Sequence, residues 1–187
     1  MGYSYGSDNF PKMCFNAAKS WQLGWYTDRS ITVNPLKAAW SGRLVGIPDY
    51  STTANGGEVV LVKINTSSDT DYYMMFNRRA GITAETSEAG DQVVIETQGS
   101  EGSTYAKSFL VAKLSAGGQY KVSNFDGSGR TVTITVTTIN LAASVAYADV
   151  SISVAPVVRA CAVRRGVCGY RKCCSGLKCV NNRCRLS

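Results

Sequence analysis

The chain has 187 residues, 20 lysines and arginines against 13 aspartates and glutamates, and no histidine. The missing imidazole excludes Ser-His-Asp and Cys-His catalysis and any histidine-ligated zinc. The net charge of +7 is uneven: residues 157–187 carry eight basic side chains and no acidic one, so residues 1–156 hold 12 basic and 13 acidic groups. A near-neutral body with a cationic appendage is not a protein with a nucleic-acid-binding face.

In chain order, the first predicted element lies in CFNAAKSWQLGWY, residues 14–26. Asn16 suits an N-cap, Ala17 to Leu23 the helix body, and Gly24 the left-handed residue that ends it. Ala17, Ala18 and Trp21 share one face that needs a core to cover it. A helix this short reads as the end of a domain, so residues 1–26 are expected to pack loosely on the neighbouring β domain. Cys14 has no cysteine partner in residues 15–160 and is assigned as unpaired.

Residues 27–156 predict nine short strands: ITVN, SGRLVGI, EVVLVKI, YYMMFNR, DQVVIET, KSFLVAK, QYKVSNF, RTVTITVTTI and VAYADVSISV. They alternate or run apolar and are rich in Val, Ile, Thr and Tyr. Asn-Pro, Asn-Gly, Gly-Asp, Gly-Gly and Asp-Gly turns separate them. The expected architecture is an antiparallel β-sandwich. In RTVTITVTTI, Val132, Ile134 and Val136 face one side and Thr131, Thr133, Thr135 and Thr137 the other.

Small motifs along residues 1–156 carry little chemistry. Asn65-Thr66-Ser67 is an N-glycosylation sequon, which makes Asn65 a candidate acceptor. Asp69 and Asp71 form a D-x-D that could touch calcium, although loop aspartates usually serve turns. Tyr72, Tyr73, Phe76, Arg78 and Arg79 could make an aromatic–basic sugar platform, against the simpler reading that alternate members enter the core. Lys19–Ser20 and Lys107–Ser108 are formal Ser-Lys pairs, but adjacent residues face different ways. Gly127-Ser128-Gly129 lacks the G-K-[ST] of a phosphate loop.

The tail from Cys161 to Ser187 spaces six cysteines as C-x6-C-x4-C-C-x4-C-x4-C. So short a segment has too few apolar residues to fold by burial and needs covalent staples. Fifteen pairings are open to six cysteines. A zinc site is the weaker reading, because the tail has neither a C-x2-C pair nor a histidine. Disulfides place the chain in an oxidising, extracellular compartment. The opening MGYSYGSDNF has no secretion signal and the chain has no apolar run of about 18 residues, so no transmembrane helix. Either export is unconventional or an N-terminal part is missing.

Two resemblances sharpen this reading. The tail, with its central Cys173-Cys174 doublet, resembles the inhibitor cystine knot, or knottin. That resemblance implies the pairs Cys161–Cys174, Cys168–Cys179 and Cys173–Cys184. The start, MGYSYG followed by MCFNAAKSWQLGWY, resembles the end of the catalytic domain in gametolysin-like metzincin zinc proteases. DYYMMFNRRAGI, YAKSFLVAKLSAGGQYKVSNFDGSG and AYADVSI continue the likeness through most of residues 1–155. By this resemblance Met1 matches the methionine of the Met-turn and Tyr3 the tyrosine that in some metzincins approaches the zinc or the transition state.

The sequence-level expectation has three parts. Residues 1–26 are a helical remnant of a metzincin catalytic domain, 27–156 an accessory β-sandwich, and 157–187 a disulfide-rich knottin-like tail. H-E-x-x-H is absent, so the chain holds no catalytic zinc and is expected to be inactive alone, zinc belonging only to a full-length relative. The implied function is the non-catalytic C-terminal portion of a secreted zinc metalloendopeptidase. Its cationic residues Arg164, Arg165, Arg171, Lys172, Lys178, Arg183 and Arg185 would target a matrix or cell-wall glycoprotein or a polyanionic glycan. The rival readings are a stand-alone secreted binding module and a knottin-type inhibitor or defence protein.

Overall fold

The computed structural model describes residues 14–52, 57–100, 106–155, 168 and 173–186. The chain divides into two compact units, Met1–Ala155 and Pro156–Ser187. The fold is mainly β, with one short helix.

In the first unit all nine expected strands form: β1 (Ser30–Val33), β2 (Trp40–Val45), β3 (Leu61–Ile64), β4 (Asp71–Asn77), β5 (Gln92–Gln98), β6 (Ser108–Leu114), β7 (Gln119–Val122), β8 (Val132–Asn140) and β9 (Tyr147–Val154). They make two sheets, ordered β1-β3-β4-β5-β6 and β2-β9-β8-β7. Among the described residues every ladder between these strands but one is antiparallel. The exception is β1, which runs parallel to β3 with Ile31 opposite Val62.

Alternation explains which residues meet between the sheets. Val62, Ile64, Met74, Phe76, Val93 and Ile95 of the five-stranded sheet pack against Leu44, Val132, Ile134, Val136, Val150 and Ile152 of the other. Val132, Ile134 and Val136 are buried, with Thr133 and Thr135 half-buried between them. The threonine alternation breaks at a bulge between Val136 and Thr138, which leaves Thr137 outside the ladder.

The outer face of the five-stranded sheet is covered as well. Helix α1 (Ala17–Gln22) starts at Asn16, whose side chain accepts the N–H of Lys19 at 2.9 Å, and Gly24 follows in the left-handed region at φ 68°. Ala17 and Ala18 are 1% and 0% exposed and pack with Leu61, Tyr73, Met75 and Val94. Two methyl side chains let the helix backbone lie close to the strands, so the described part of residues 1–26, from Cys14 on, fits tightly rather than loosely. Trp21 sits near Tyr73, ring centroids 6.4 Å apart, and over the Lys63 amine at 5.8 Å. Strand β4, buried on both faces, is therefore the middle layer of helix, sheet and sheet.

Among the described residues, no helix is long and apolar enough to cross a membrane.

Candidate functional site

The described part of the second unit is a hairpin. Strands β10 (Leu177–Val180) and β11 (Arg183–Leu186) pair with Lys178 opposite Arg185, Cys179 opposite Cys184 and Val180 opposite Arg183. The turn is Asn181-Asn182, both left-handed at φ 49° and 59°. Two such residues give the turn a twist that matches the strands, and Asn tolerates this region better than most side chains.

Register sorts the side chains into two faces, because successive residues on a strand alternate. Leu177, Cys179, Cys184 and Leu186 share one face. Cys184 is fully buried, beside Cys168, Cys173 and Leu177. Cys168 is bridged to Cys179 and Cys173 to Cys184, with Cα atoms 5.9 and 5.5 Å apart. The N–H of Cys168 donates to the carbonyl of Asn182 at 3.2 Å and ties that residue to the turn.

Lys178, Arg183 and Arg185 share the other face with Val180, and all three cations are exposed. Like charges directly opposite on a ladder destabilise it, and Lys178 faces Arg185. Among the described residues no carboxylate pairs with any of the three. Arg164, Arg165, Arg171, Lys172 and Cys161 lie outside the described residues, as do Met1 and Tyr3. The expected Cys161–Cys174 bridge falls there too, although Cys174 is itself disulfide-bonded.

The Sγ atoms of Cys168, Cys173 and Cys184 lie within 4.8 Å of one another, a spacing that a metal would accept. All three belong to disulfides and offer no thiolate, so zinc does not fit there. Cys14 is a free, partly buried thiol, and burial pushes its pKa up, away from reactivity.

The remaining candidates are structural. Asp71 is fully buried, ion-paired to Lys63 at 2.8 Å and accepting the N–H of Thr66, while Asp69 accepts the N–H of Ser100. These carboxylates fasten a loop. The aromatic–basic platform is dispersed: Tyr73 lies under α1, Phe76 is in the inter-sheet core, and Tyr72 sits by Phe125. Arg78 donates to Asp91 at 2.6 Å and Arg79 to the carbonyl of Ala84. Neither Ser-Lys pair meets: Lys19 bonds Gln22 and the carbonyl of Ala106, Ser20 bonds the carbonyl of Phe15, and Ser108 accepts from Asn16. Asn65 is half-buried just after β3, and Ser67 of its sequon bonds Asp126.

One ionisable group stands out that sequence reasoning passed over. Glu96, on β5, is 5% exposed and accepts the N–H of Ala18 at 3.2 Å, so its carboxylate caps the first turn of α1. Burial pushes its pKa up to about 7, partly offset by the helix N–H groups and by Lys19. Burial in turn lowers the pKa of Lys19, with Glu96 opposing. The only signal in the sequence was a glutamate inside the apolar run QVVIETQ.

No family model matches the chain, and neither a curated protein nor a solved structure does.

Proposed function

We propose that the chain is the non-catalytic C-terminal portion of a secreted gametolysin-like zinc metalloprotease. In this reading the β-sandwich is an accessory domain. The cationic, disulfide-held tail docks on a polyanionic glycan or a matrix or cell-wall glycoprotein and raises local concentration without doing chemistry.

The observation that carries the targeting role is the ribbon face of Lys178, Arg183 and Arg185. Three cations, none paired with a carboxylate among the described residues, are held on one face of a stapled hairpin. Two of them lie directly opposite each other, in a tail with no acidic residue. Such an arrangement costs stability in isolation and is offset by an anionic partner. The disulfides support an oxidising compartment, and hence secretion. The protease assignment rests on the resemblance of residues 1–155. The chain itself lacks every histidine that the family's zinc requires.

Two measurements test the assignment. The transcript upstream of the Met1 codon is expected to encode H-E-x-x-H in the same reading frame; an in-frame stop there contradicts it. The purified chain supplied with zinc is expected to leave gelatin and casein intact, and cleavage sensitive to a chelator would overturn the non-catalytic reading.

A further inference from the structure

The outer face of the four-stranded sheet holds a feature that the tail does not explain. A cleft of about 460 Å³ opens there, within the size range of small-ligand sites. Its polar lining is Ser41, Arg43, Glu58, Thr137, Asp149 and Ser151.

Register builds it. Ser41 lies directly opposite Ser151, and two residues along, Arg43 lies directly opposite Asp149. These are successive rungs on one face, about 7 Å apart along the strands. The bulge in β8 turns Thr137 out of its ladder, and its hydroxyl donates to the carbonyl of Asp149 at 3.1 Å, leaving the oxygen able to accept. Bulges often re-aim side chains beside binding sites.

Arg43 is fixed before any ligand arrives. Its guanidinium stacks on the Tyr147 ring at 3.6 Å, and Nε donates to Asp149 Oδ1 at 3.2 Å. The stack orients a planar group whose terminal nitrogens still carry donors. Asp149 keeps a second oxygen to accept. A donor fork beside an acceptor, flanked by three hydroxyls, matches the alternating donors and acceptors of a vicinal diol. Charge narrows the class further. Among the described residues the lining carries one cation and two carboxylates, which disfavours an anion; in this it is the opposite of the tail.

We propose that this cleft binds an uncharged hydroxylated ligand, a pyranose unit of a neutral glycan, with Arg43 and Asp149 reading adjacent hydroxyls. The site rests on the sandwich alone and is independent of the role proposed for the tail.

The test is titration of the whole oxidised chain with cellobiose, lactose and maltose, followed by backbone amide shifts, with glucuronate as the anionic comparator. At least one neutral disaccharide is expected to shift the amides of Ser41, Arg43, Asp149 and Ser151 in a saturable way. Asp149→Asn and Arg43→Lys are expected to weaken that binding about tenfold each, since each removes a charge-assisted contact or its fork geometry. Both side chains are more than a third exposed, so the variants are expected to melt with the parent. The proposal fails if none of the three sugars shifts these amides, if glucuronate alone does, if the shifts map elsewhere, or if both variants bind like the parent.

Discussion

The described residues of 14–155 and those of 168–186 hold their shapes by different means. In the first, two sheets and a helix bury two apolar clusters, and among its described residues there is no disulfide. In the second, the buried cluster among the described residues is little more than sulfur: Cys168 and Cys184, with Cys173 and Leu177 beside them. The sandwich has residues enough to offset chain entropy by burial, and the tail does not. The difference extends to charge. The stapled unit can present three like charges on one face because its fold does not depend on the pairing energy of that ladder.

The comparison is broken most forcefully in the core. Phe76→Ala removes a fully buried ring between the sheets and is expected to cost about 3–5 kcal/mol of the sandwich's stability. Chemical denaturation followed by tryptophan fluorescence measures it, and the Cys168–Cys179 and Cys173–Cys184 bridges should persist by mass mapping. The converse is removal of a staple. Cys173→Ser with Cys184→Ser is expected to remove about 2–4 kcal/mol from the hairpin, and the amide shifts of Leu177–Leu186 should collapse while those of β4 and β5 stay. Loss of the β4 and β5 shifts as well would contradict a role of that staple confined to the hairpin.

Glu96 tests how the helix is held. Its folded pKa of about 7 lies above the ordinary 4.5, so the native state binds the proton more tightly than the unfolded chain. The stability that this group contributes is full below about pH 4.5 and is lost as pH rises through about 7, up to roughly 3 kcal/mol in all. Denaturant midpoints of the parent should fall from pH 5 to pH 8. Glu96→Gln should flatten that fall, and an unchanged slope in the variant would remove Glu96 as its source. The smallest effect concerns the same end of the same helix: Asn16→Ala deletes the N-cap and is expected to cost about 1 kcal/mol at any pH between 5 and 8.

These residues also mark what the sequence could disclose. The strands were legible because alternation and turn residues are local, and the N-cap Asn16 and Gly24 were legible for the same reason. The parallel pairing of β1 with β3 was not, since nothing local distinguishes it from an antiparallel edge. The tight seat of α1 had a trace in YYMMF, where apolar residues fail to alternate because both faces of β4 are covered. Taken alone, that run could be read as a surface platform. Arg43 and Asp149 are 106 residues apart, and only the register of β2 on β9 brings them together. The hairpin's split into a sulfur face and a cationic face depends on a two-residue turn that spacing alone did not fix.

The central claim is that the stapled tail presents its cations to a polyanion. Elution of the oxidised chain from dextran sulfate on a sodium chloride gradient tests it most directly, because ions screen such contacts over about 10 Å at 0.1 M salt. The parent is expected to be retained and to elute at higher salt than the chain carrying Lys178→Ala, Arg183→Ala and Arg185→Ala. Elution of the two at the same salt would contradict the account.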